Sequence, residues 1–521
     1  SNIPLMKGVY HLARSVGVLL SYTEFKGAGK NPVARVCFPQ EIVRKNIKHI
    51  VKRYNDDRLK YFKAKKNKEK KVIEIDGEIF TRIDSKEFSQ KKPKYVYTLG
   101  VEGDHSYSVE GLIAENCFLL KNESDSIEGI FSTFTEEALI SKNAGGIGVA
   151  VSNIRSRDSI IKGTNGKSNG IIPFLKIKNE VARGVNQGGK RKGSIAVYLE
   201  PWHADVEEFI RLKRPDGSDE ERARDLFLAL WMPDLFYKRV EEGGKWSLFD
   251  PATAPNLDEV YGEEFVALYE KYEKQGRAVK VIDAREFQKD IFEMQIETGV
   301  PYILNKDQCN IKSNQKNLGT IKSSNLCSEI VEYTDEEETA VCNLASICLS
   351  KFVVNKKFDF KKLHEVVQIA TKNLNEVIDI NYYVNEKTKR SNLRHRPIGL
   401  GVQGLADVFF MLGLPYSSEE ARDLNEEIFE TIYHGALTAS LELAKKDGHY
   451  PSMKENGGAP ITKGILQFDM WNHSPRSNRY SKTRGKNLSW EDLREEIKEH
   501  GLRNSLLVAP MPTASTAIIL S

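Results

Sequence analysis

Two parts of the chain meet in the stretch Tyr97-Thr-Leu-Gly-Val-Glu-Gly-Asp-His-Ser-Tyr-Ser-Val-Glu-Gly-Leu-Ile-Ala-Glu-Asn-Cys-Phe-Leu-Leu120. Its Asn116-Cys117 dipeptide carries two reactive groups. The Asn116 carboxamide can attack its own carbonyl and sever the bond to Cys117, and the Cys117 thiol can accept an acyl group once it is ionised. Taken alone, an Asn-Cys pair is usually an ordinary turn, so the flanking residues must decide.

Charge changes sign at this junction. Residues 1–116 hold 23 Lys or Arg against 14 Asp or Glu, a net charge of +9, whereas residues 117–521 hold 54 against 59, a net charge of −5. Such a shift supports a domain boundary. With 521 residues the chain is long enough for two or more domains.

The composition is that of a water-soluble protein. Apolar runs are short and no signal-peptide pattern is present, so we expect a cytoplasmic protein without a membrane span. The six cysteines show no Cys-x-x-Cys spacing, which argues against a disulfide framework and against a zinc site. Any functional cysteine is therefore expected to be redox-active or catalytic, and no metal site is predicted.

The residues before the junction show a family resemblance. The pattern Val-Tyr-x-Leu-x-Val-x-x-x-His, ending at His105, resembles the C-terminal splicing block of inteins, in which that His assists Asn cyclisation. The chain departs from the family at Thr98, where Asp is usual, and at Glu115, where His is usual. The resemblance implies that His105, Asn116 and Cys117 are splicing residues and that residues 72–116 form a β-rich (Hint-type) segment.

Residues 1–71 are less specific. The pattern predicts a helix over residues 9–17 followed by a strand, and Leu12-Ala-Arg-Ser-Val-Gly17 resembles the tail of a LAGLIDADG endonuclease without its metal-binding acids. Residues 44–71 hold 13 Lys or Arg with interleaved aromatics. This segment could touch nucleic acid, although a solvated helix or linker is the favoured interpretation. We assign residues 1–71 to an endonuclease remnant and basic linker.

After Cys117, helices and strands alternate, which predicts an α/β fold. The predicted helices cover residues 126–142, 359–378, 402–412 and 424–443, and the predicted strands cover residues 147–151, 196–199, 226–231 and 506–510. A Gly-rich turn at residues 187–193 is a weak phosphate-loop signal, and a plain mobile loop is favoured. In Asn325-Leu-Cys327-Ser-Glu329, an extended backbone would point an amide, a thiol and a carboxylate to one side. A buried inert cysteine remains the alternative.

Many colinear motifs after the junction resemble the large catalytic subunit of class I ribonucleotide reductase, across essentially all of residues 117–521. They are Cys117-Phe-Leu-Leu, Ser124-Asp-Ser-Ile-Glu-Gly129, Ser141-Lys-Asn-Ala-Gly-Gly-Ile-Gly-Val149, Tyr198-Leu-Glu-Pro-Trp-His203, Ser324-Asn-Leu-Cys-Ser-Glu329, Ala340-Val-Cys-Asn-Leu344, Arg396-Pro-Ile-Gly399 and Ala509-Pro-Met-Pro-Thr-Ala-Ser-Thr516. The resemblance implies a ten-stranded α/β barrel, here incomplete at both ends, over residues 117–521.

The same resemblance implies the catalytic roles. Cys327 corresponds to the thiyl-radical cysteine, Glu329 to the carboxylate that takes the 3′ hydroxyl proton, and Asn325 to the amide that binds the ribose hydroxyls. Cys117 and Cys342 correspond to the thiols that reduce the substrate and form a disulfide in each turnover. The remaining cysteines, Cys37, Cys309 and Cys348, are read as structural.

Ligand sites are implied in the same way. Substrate binding falls to Gly146 and to the diphosphate loop Thr513, Ala514, Ser515 and Thr516. Binding of the ATP or dNTP effector falls to Asp125, Ser126, Lys142 and Arg155, and residues 187–193 correspond to the loop that relays effector identity, one residue shorter than usual. Without the family match, Asp125, Lys142 and Arg155 would read as surface ion pairs.

The resemblance also implies partners: a second large subunit, a metal-containing small subunit that supplies the radical, and thioredoxin or glutaredoxin as reductant. No cofactor is expected to bind the chain directly. The effector cone, the radical-transfer tyrosine pair and the cysteine tail of the family are not found, and Tyr382-Tyr383 is not that pair, so we expect the isolated chain to be inactive.

Three functions follow from the sequence. The leading one is a ribonucleoside-diphosphate reductase large subunit made as an intein-containing precursor, in which splicing needs a partner chain that carries the N-terminal intein half. The alternatives are autoprocessing at Asn116 as the only activity of the isolated chain, and a nucleotide-binding subunit without catalysis.

Overall fold

A computed structural model describes the chain in two compact units, residues 1–96 with 518–521 and residues 97–517. In the first unit it describes four strands. In the second it describes residues 107–109 and 112–517, except for 144, 186–192, 220–221, 476–478, 484–486 and 514–516. The predicted helix over residues 9–17 lies outside the described residues.

The first unit contributes two antiparallel strand pairs. Strand β1 (Ser21–Lys26) pairs with β2 (Pro32–Cys37), and β3 (Val72–Ile75) pairs with β4 (Glu78–Thr81). Strands β3 and β4 lie at the start of residues 72–116, which the sequence predicts to be a β-rich segment.

The second unit is built around one eight-stranded sheet. Its order is β14-β11-β10-β7-β6-β15-β18, with β5 paired to the first part of β6. The strands are β5 (Tyr107–Val109), β6 (Leu112–Lys121), β7 (Gly146–Ala150), β10 (Ile195–Leu199), β11 (Phe227–Met232), β14 (Tyr302–Asn305), β15 (Ala340–Cys348) and β18 (Ile398–Gln403).

Strand direction changes once across the ordered path of this sheet. Strands β14, β11, β10, β7 and β6 run parallel, β15 runs antiparallel to β6, and β18 runs parallel to β15. Strands β6 and β15 are therefore the seam between two groups of parallel strands. The parallel strands include continuous apolar runs, such as the fully buried Ile195–Leu199 of β10, because parallel strands are covered on both faces.

Smaller strand pairs lie in the connections. They are β8 (Arg157–Ile161) with β9 (Gly166–Asn169), β12 (Lys245–Leu248) with β13 (Lys280–Asp283), and β16 (Val353–Val354) with β17 (Lys357–Phe358).

Helices cover the sheet. Among the described residues they are α1 (Ile127–Lys142), α2 (Ile172–Gly184), α3 (Val206–Phe209), α4 (Asp234–Glu242), α5 (Gly262–Lys274), α6 (Ala284–Thr298), α7 (Lys306–Ile311), α8 (Phe360–Ile380), α9 (Glu386–His395), α10 (Leu405–Leu412), α11 (Glu419–Asp447), α12 (Gln467–Met470) and α13 (Trp490–His500). Capping residues fix several starts: the Ser126 Oγ accepts from the Gly129 amide, and the Asp359 carboxylate accepts from the Lys362 amide.

Two elements differ from the sequence prediction. The predicted helix over residues 402–412 begins only at Leu405, because β18 continues to Gln403 and Gly404 turns the chain with a φ of 76°. Residues 506–510 are not a full strand, but residues 506–509 run beside β18. There the amides of Ile398 and Leu400 donate to the carbonyls of residues 506 and 507.

Candidate active site

Residues 321–339 form a long segment without helix or strand between α7 and β15, and this segment carries Asn325, Cys327 and Glu329. Buried hydrogen bonds anchor this segment at Ile321 and at Asn325. The Asn310 side chain bonds both backbone groups of Ile321 at 2.7 and 2.9 Å, and the Tyr198 hydroxyl donates to the Asn325 carbonyl at 2.6 Å. The segment is therefore held against the sheet by groups that cannot bond to water.

Glycines of β7 allow the segment to lie directly on the sheet. A Cβ at Gly148 would lie 1.9 Å from the Ser324 carbonyl oxygen, so only glycine fits there. A Cβ at Gly146 would lie 3.2 Å from Leu326 and 3.9 Å from the Cys117 Sγ. Gly146, predicted to bind substrate, thus lies beside the loop and one thiol.

The prediction of an extended backbone from Asn325 to Glu329 is wrong, because the segment turns at Cys327. Ser328 has a φ of 70°, and the Asn325 Oδ1 accepts from the Ile330 amide at 3.1 Å, which closes the turn. As a result Asn325 is fully buried, Cys327 is exposed at the tip and Glu329 is half-buried.

The two thiols predicted to reduce substrate lie opposite each other on neighbouring strands. Cys117 of β6 and Cys342 of β15 are directly paired in the antiparallel register. Directly paired residues have Cα atoms about 4.5–5.5 Å apart, which is within the range that a disulfide spans. Residues 225 positions apart in sequence are therefore placed for disulfide formation.

Carboxyl groups of the loop lie beside these thiols. The Cys117 Sγ is 3.8 Å from the Glu329 Oε1. The Asn325 Nδ2 and the Glu329 Oε2 are buried and make no hydrogen bond of normal length among the described residues, although the Asn325 amide lies close enough to Glu329 to lower its pKa. An amide donor and a carboxylate acceptor without a close partner are groups that a polyhydroxyl substrate would satisfy.

Burial shifts the acidity of these groups. Burial raises the pKa of Glu329, and the nearby Asn325 amide, its own backbone amide and Cys117 partly oppose this rise. Burial also raises the pKa of Cys342 well above its ordinary value, and Glu332 and Cys117 add to the shift. Burial raises the pKa of Glu332 to about 8. Glu329 as a base and Cys342 as a thiol thus both hold protons more tightly than in water.

A cavity of about 950 Å³ is lined by Cys342 of the thiol pair, whereas Cys117, Asn325 and Cys327 are not among its lining residues. Its walls include Glu329, Glu332 and Cys342 on one side, with Leu304 of β14 on another; the remaining walls include residues 505–509 and aromatic side chains, namely Phe429, Tyr433, Phe468, Trp471 and Trp490. Because β14 and residues 506–509 lie at opposite ends of the sheet, the sheet curls around this cavity. The volume is in the range that binds small organic ligands.

Comparison with known proteins identifies the fold. Residues 115–521 match the family model described as ribonucleotide reductase, barrel domain. The chain belongs to this family. It is 57% identical over 407 residues to the ribonucleoside-diphosphate reductase large subunit of Caenorhabditis elegans, and 56% identical over 426 and 408 residues to those of Arabidopsis thaliana and Plasmodium falciparum. Each match covers 78% of this chain and 49–51% of the relative, so the chain spans about half the length of these relatives.

In this reductase barrel, three of the four predicted effector residues lie together. Asp125 accepts from the Arg155 backbone amide at 3.1 Å and from its Nε at 2.8 Å, and burial raises the pKa of Asp125 against the opposing effect of Arg155. Ser126 is the N-cap of α1. Lys142 lies in the last turn of the same helix, about 24 Å away along an axis that rises 1.5 Å per residue.

The predicted diphosphate loop is described only at Thr513, which is half-buried with a φ of 52°. Ala514, Ser515 and Thr516 lie outside the described residues, as do residues 187–192 of the predicted specificity loop and the splicing residue His105. The Asn116 backbone lies in β6, opposite Asn343.

The other thiols lie apart from the pair. Cys309 is half-buried, with its pKa raised to about 11 by burial, and Cys348 is buried with its Sγ 3.4 Å from the Ser350 Oγ. Cys37 is described only as a strand position. In the described part of the chain no cluster of three or more His, Cys, Asp or Glu is arranged to hold a metal ion. No described helix is long and apolar enough to cross a membrane.

Sequence reasoning missed two residues of this candidate site. Tyr198 bonds the Asn325 carbonyl, and Glu332 interacts with Cys342. Tyr198 stands in one of the motifs that carry the family resemblance, but no spacing rule links it to Asn325. Glu332 follows the apolar pair Ile330-Val331, and an acid next to an apolar run was the signal available.

Proposed function

We propose that the chain is the catalytic barrel of a ribonucleoside-diphosphate reductase large subunit, which reduces ribonucleoside diphosphates to deoxyribonucleoside diphosphates through a radical on Cys327. The pairing of Cys117 with Cys342, with Glu329 at 3.8 Å from the Cys117 Sγ, is the observation that carries the proposal. Two hydrogens must reach the substrate, and two facing thiols can supply both.

Each residue then has a chemical task. Cys327, exposed at the tip of its turn, takes the hydrogen from the ribose 3′ carbon. Glu329 accepts the 3′ hydroxyl proton and the Asn325 amide binds the ribose hydroxyls, a proposal supported by their buried, unpartnered polar atoms. The 2′ hydroxyl leaves as water while Cys117 and Cys342 become a disulfide.

Binding of the rest of the nucleotide is proposed on the family match. The diphosphate lies on residues 513–516 near Gly146, in a ten-stranded barrel that the remainder of the protein completes. An effector, ATP or a dNTP, binds at Asp125, Ser126 and Arg155. Because Lys142 lies about 24 Å from Ser126 along α1, it joins this site from a second large subunit. A metal-containing small subunit supplies the radical, and thioredoxin or glutaredoxin re-reduces the disulfide.

Reduction of CDP or ADP tests the proposal. The full-length protein that contains this chain is combined with its small subunit, an effector and a dithiol. Cys327→Ala should abolish product formation, whereas Cys309→Ala, a cysteine that lines the cavity but has no assigned role, should retain it. Turnover that persists in Cys327→Ala refutes the radical assignment. Effector binding without turnover in the wild type would instead support an inactive regulatory subunit.

We further propose that residues 72–116 are the C-terminal part of an intein and that residues 1–71 are an endonuclease remnant and linker. The family match begins at residue 115, within two residues of the Asn116-Cys117 bond, and this coincidence supports the proposal. Intact-mass measurement of the 59.0 kDa chain during incubation tests it. Cleavage should release a fragment that begins with Cys117 and should be absent in Asn116→Ala. No mass loss, alone or with a chain that supplies the missing intein half, would refute the proposal.

A further inference from the structure

A second carboxyl group lies beside the thiol pair and has no task in the proposed reaction. The Glu329 Oε1 lies 3.8 Å from the Cys117 Sγ, whereas Glu332 lines the cavity together with Cys342 of the other strand and raises the pKa of the Cys342 thiol. Both Glu332 and Cys342 line the same cavity, and each is 1% exposed. Each thiol of the pair therefore has a carboxyl group of its own.

The surroundings of Glu332 indicate a neutral acid. Its Oε1 is buried without a hydrogen-bond partner among the described residues, and the Cys342 thiol only partly offsets the rise that burial causes in the pKa of this carboxyl. A buried carboxylate normally requires a paired cation. By contrast Glu338, six residues on, receives both Arg394 and His395. An acid without such partners holds its proton and can donate it.

Cys342 needs a proton donor when a disulfide to Cys117 is reduced. It packs among Leu119, Ile330 and Leu344, which cannot stabilise a thiolate. The titratable groups that face it are Glu332, Cys117 and Glu329, none of which is a cation. A thiolate released at Cys342 is therefore a poor leaving group until it is protonated.

We propose that Glu332 protonates the Cys342 sulfur when the Cys117–Cys342 disulfide is reduced, an inference that rests on the proposed function. The thiolate of an external dithiol attacks the Cys117 Sγ, the S–S bond breaks, and its electron pair goes to the Cys342 Sγ, which takes the Glu332 proton. The second dithiol sulfur then displaces Cys117, whose sulfur takes the proton of that second thiol. The first thiol of the reagent gave its proton to solvent when it ionised, and Glu332 regains a proton from solvent. The products are two protein thiols and one disulfide within the external reagent.

The test measures disulfide reduction in the full-length protein without nucleotide. The Cys117–Cys342 bond is formed with a mild oxidant and mapped by mass spectrometry, and its reduction by dithiothreitol is followed from pH 6 to pH 10. Each reduction rate is divided by the fraction of dithiothreitol that is thiolate at that pH, so that the remaining pH dependence comes from the protein. Glu332→Gln is compared with wild type, and Glu337→Gln, an exposed acid on the same loop, serves as the matched control.

We expect Glu332→Gln to be reduced about 100-fold more slowly than wild type at pH 6.5, a typical contribution of a positioned general acid. The difference should shrink above pH 8, because wild type then loses the Glu332 proton, whose pKa is about 8. Glu337→Gln should match wild type throughout. Equal rates, or a deficit of the same size at every pH, would overturn the inference, since a purely structural role slows reduction without changing its pH profile.

Two further outcomes, a disulfide that does not form and a variant that does not fold, can also be interpreted. If the oxidant forms no Cys117–Cys342 bond, the thiol pair of the proposed function fails together with this inference, whereas a bond that forms but is reduced independently of Glu332 refutes this inference alone. If Glu332→Gln does not fold, the wild-type profile decides. A corrected rate that falls above pH 8 supports proton donation, and a flat profile refutes it.

Discussion

Glu332 also predicts how the stability of the protein depends on pH. The Glu332 side chain is 1% exposed, and burial raises its pKa from 4.5 to about 8. In the unfolded chain the carboxyl ionises near its ordinary value. Between pH 4.5 and about 8 the folded protein therefore binds one more proton at this position than the unfolded chain does.

This difference in bound protons sets the sign and size of the change in the free energy of unfolding with pH. Unfolding releases the proton, so the free energy of unfolding falls by about 1.4 kcal/mol for each pH unit in that interval and is constant again above pH 8. Glutamine has the same shape and does not titrate. Between pH 5 and pH 7, Glu332→Gln should therefore gain about 3 kcal/mol of stability relative to wild type.

Urea unfolding at pH 5, 6, 7 and 8 measures the effect, and tryptophan fluorescence is a suitable signal because Trp202, Trp231 and Trp246 are fully buried in the barrel. Glu337→Gln controls for loss of a negative charge on the same loop. A difference between Glu332→Gln and wild type that does not change from pH 5 to pH 8 would refute the assignment of a neutral buried carboxyl.

Three other predictions concern the packing of a glycine and the pairing of buried charges. Gly148→Ala places a Cβ 1.9 Å from a loop carbonyl and should cost about 3 kcal/mol in urea unfolding, whereas Gly163→Ala, with no atom within 4 Å of its Cβ, should change stability by less than about 0.5 kcal/mol. Lys306→Met leaves Glu200 buried without its cation and should lower the free energy of unfolding by about 4 kcal/mol. Adding Glu200→Gln to this variant should recover part of the loss. If the losses of the two single variants simply add in the double variant, the pairing is contradicted. Burial would raise the pKa of Glu338, but its hydrogen-bonded cations hold it at about 2, so the stability it contributes is complete above pH 4.5 and is lost toward pH 2; acid titration of unfolding should show this loss in wild type and not in Glu338→Gln.

Local patterns predicted much of the barrel. The apolar runs at residues 147–151 and 196–199 lie in strands β7 and β10, and the helix predicted over residues 126–142 begins after its Ser126 cap. These features depend on neighbours in sequence, which is why periodicity and capping residues reveal them.

The arrangement of the site depends on distant contacts. The pairing of Cys117 with Cys342 is set by the register of two strands far apart in sequence, which no local pattern encodes. The turn at Cys327 requires a positive φ at Ser328 and the Asn325 side chain over it, so the alternation rule for extended chains was misleading there. Glu332 was missed because its importance lies in what it contacts after folding.

The register of β6 on β15 has a consequence for the splicing that we propose at Asn116-Cys117. Residues 112–119 pair with β15, and five of these eight lie before the Asn116–Cys117 bond. Scission alone would strip residues 343–347 of their partners and leave a bare strand edge, which proteases and other unpaired strands recognise. Ligation of a new segment to Cys117 would restore those partners. Under that proposal, a cut chain and a ligated chain differ in whether β15 keeps a partner strand along its whole length.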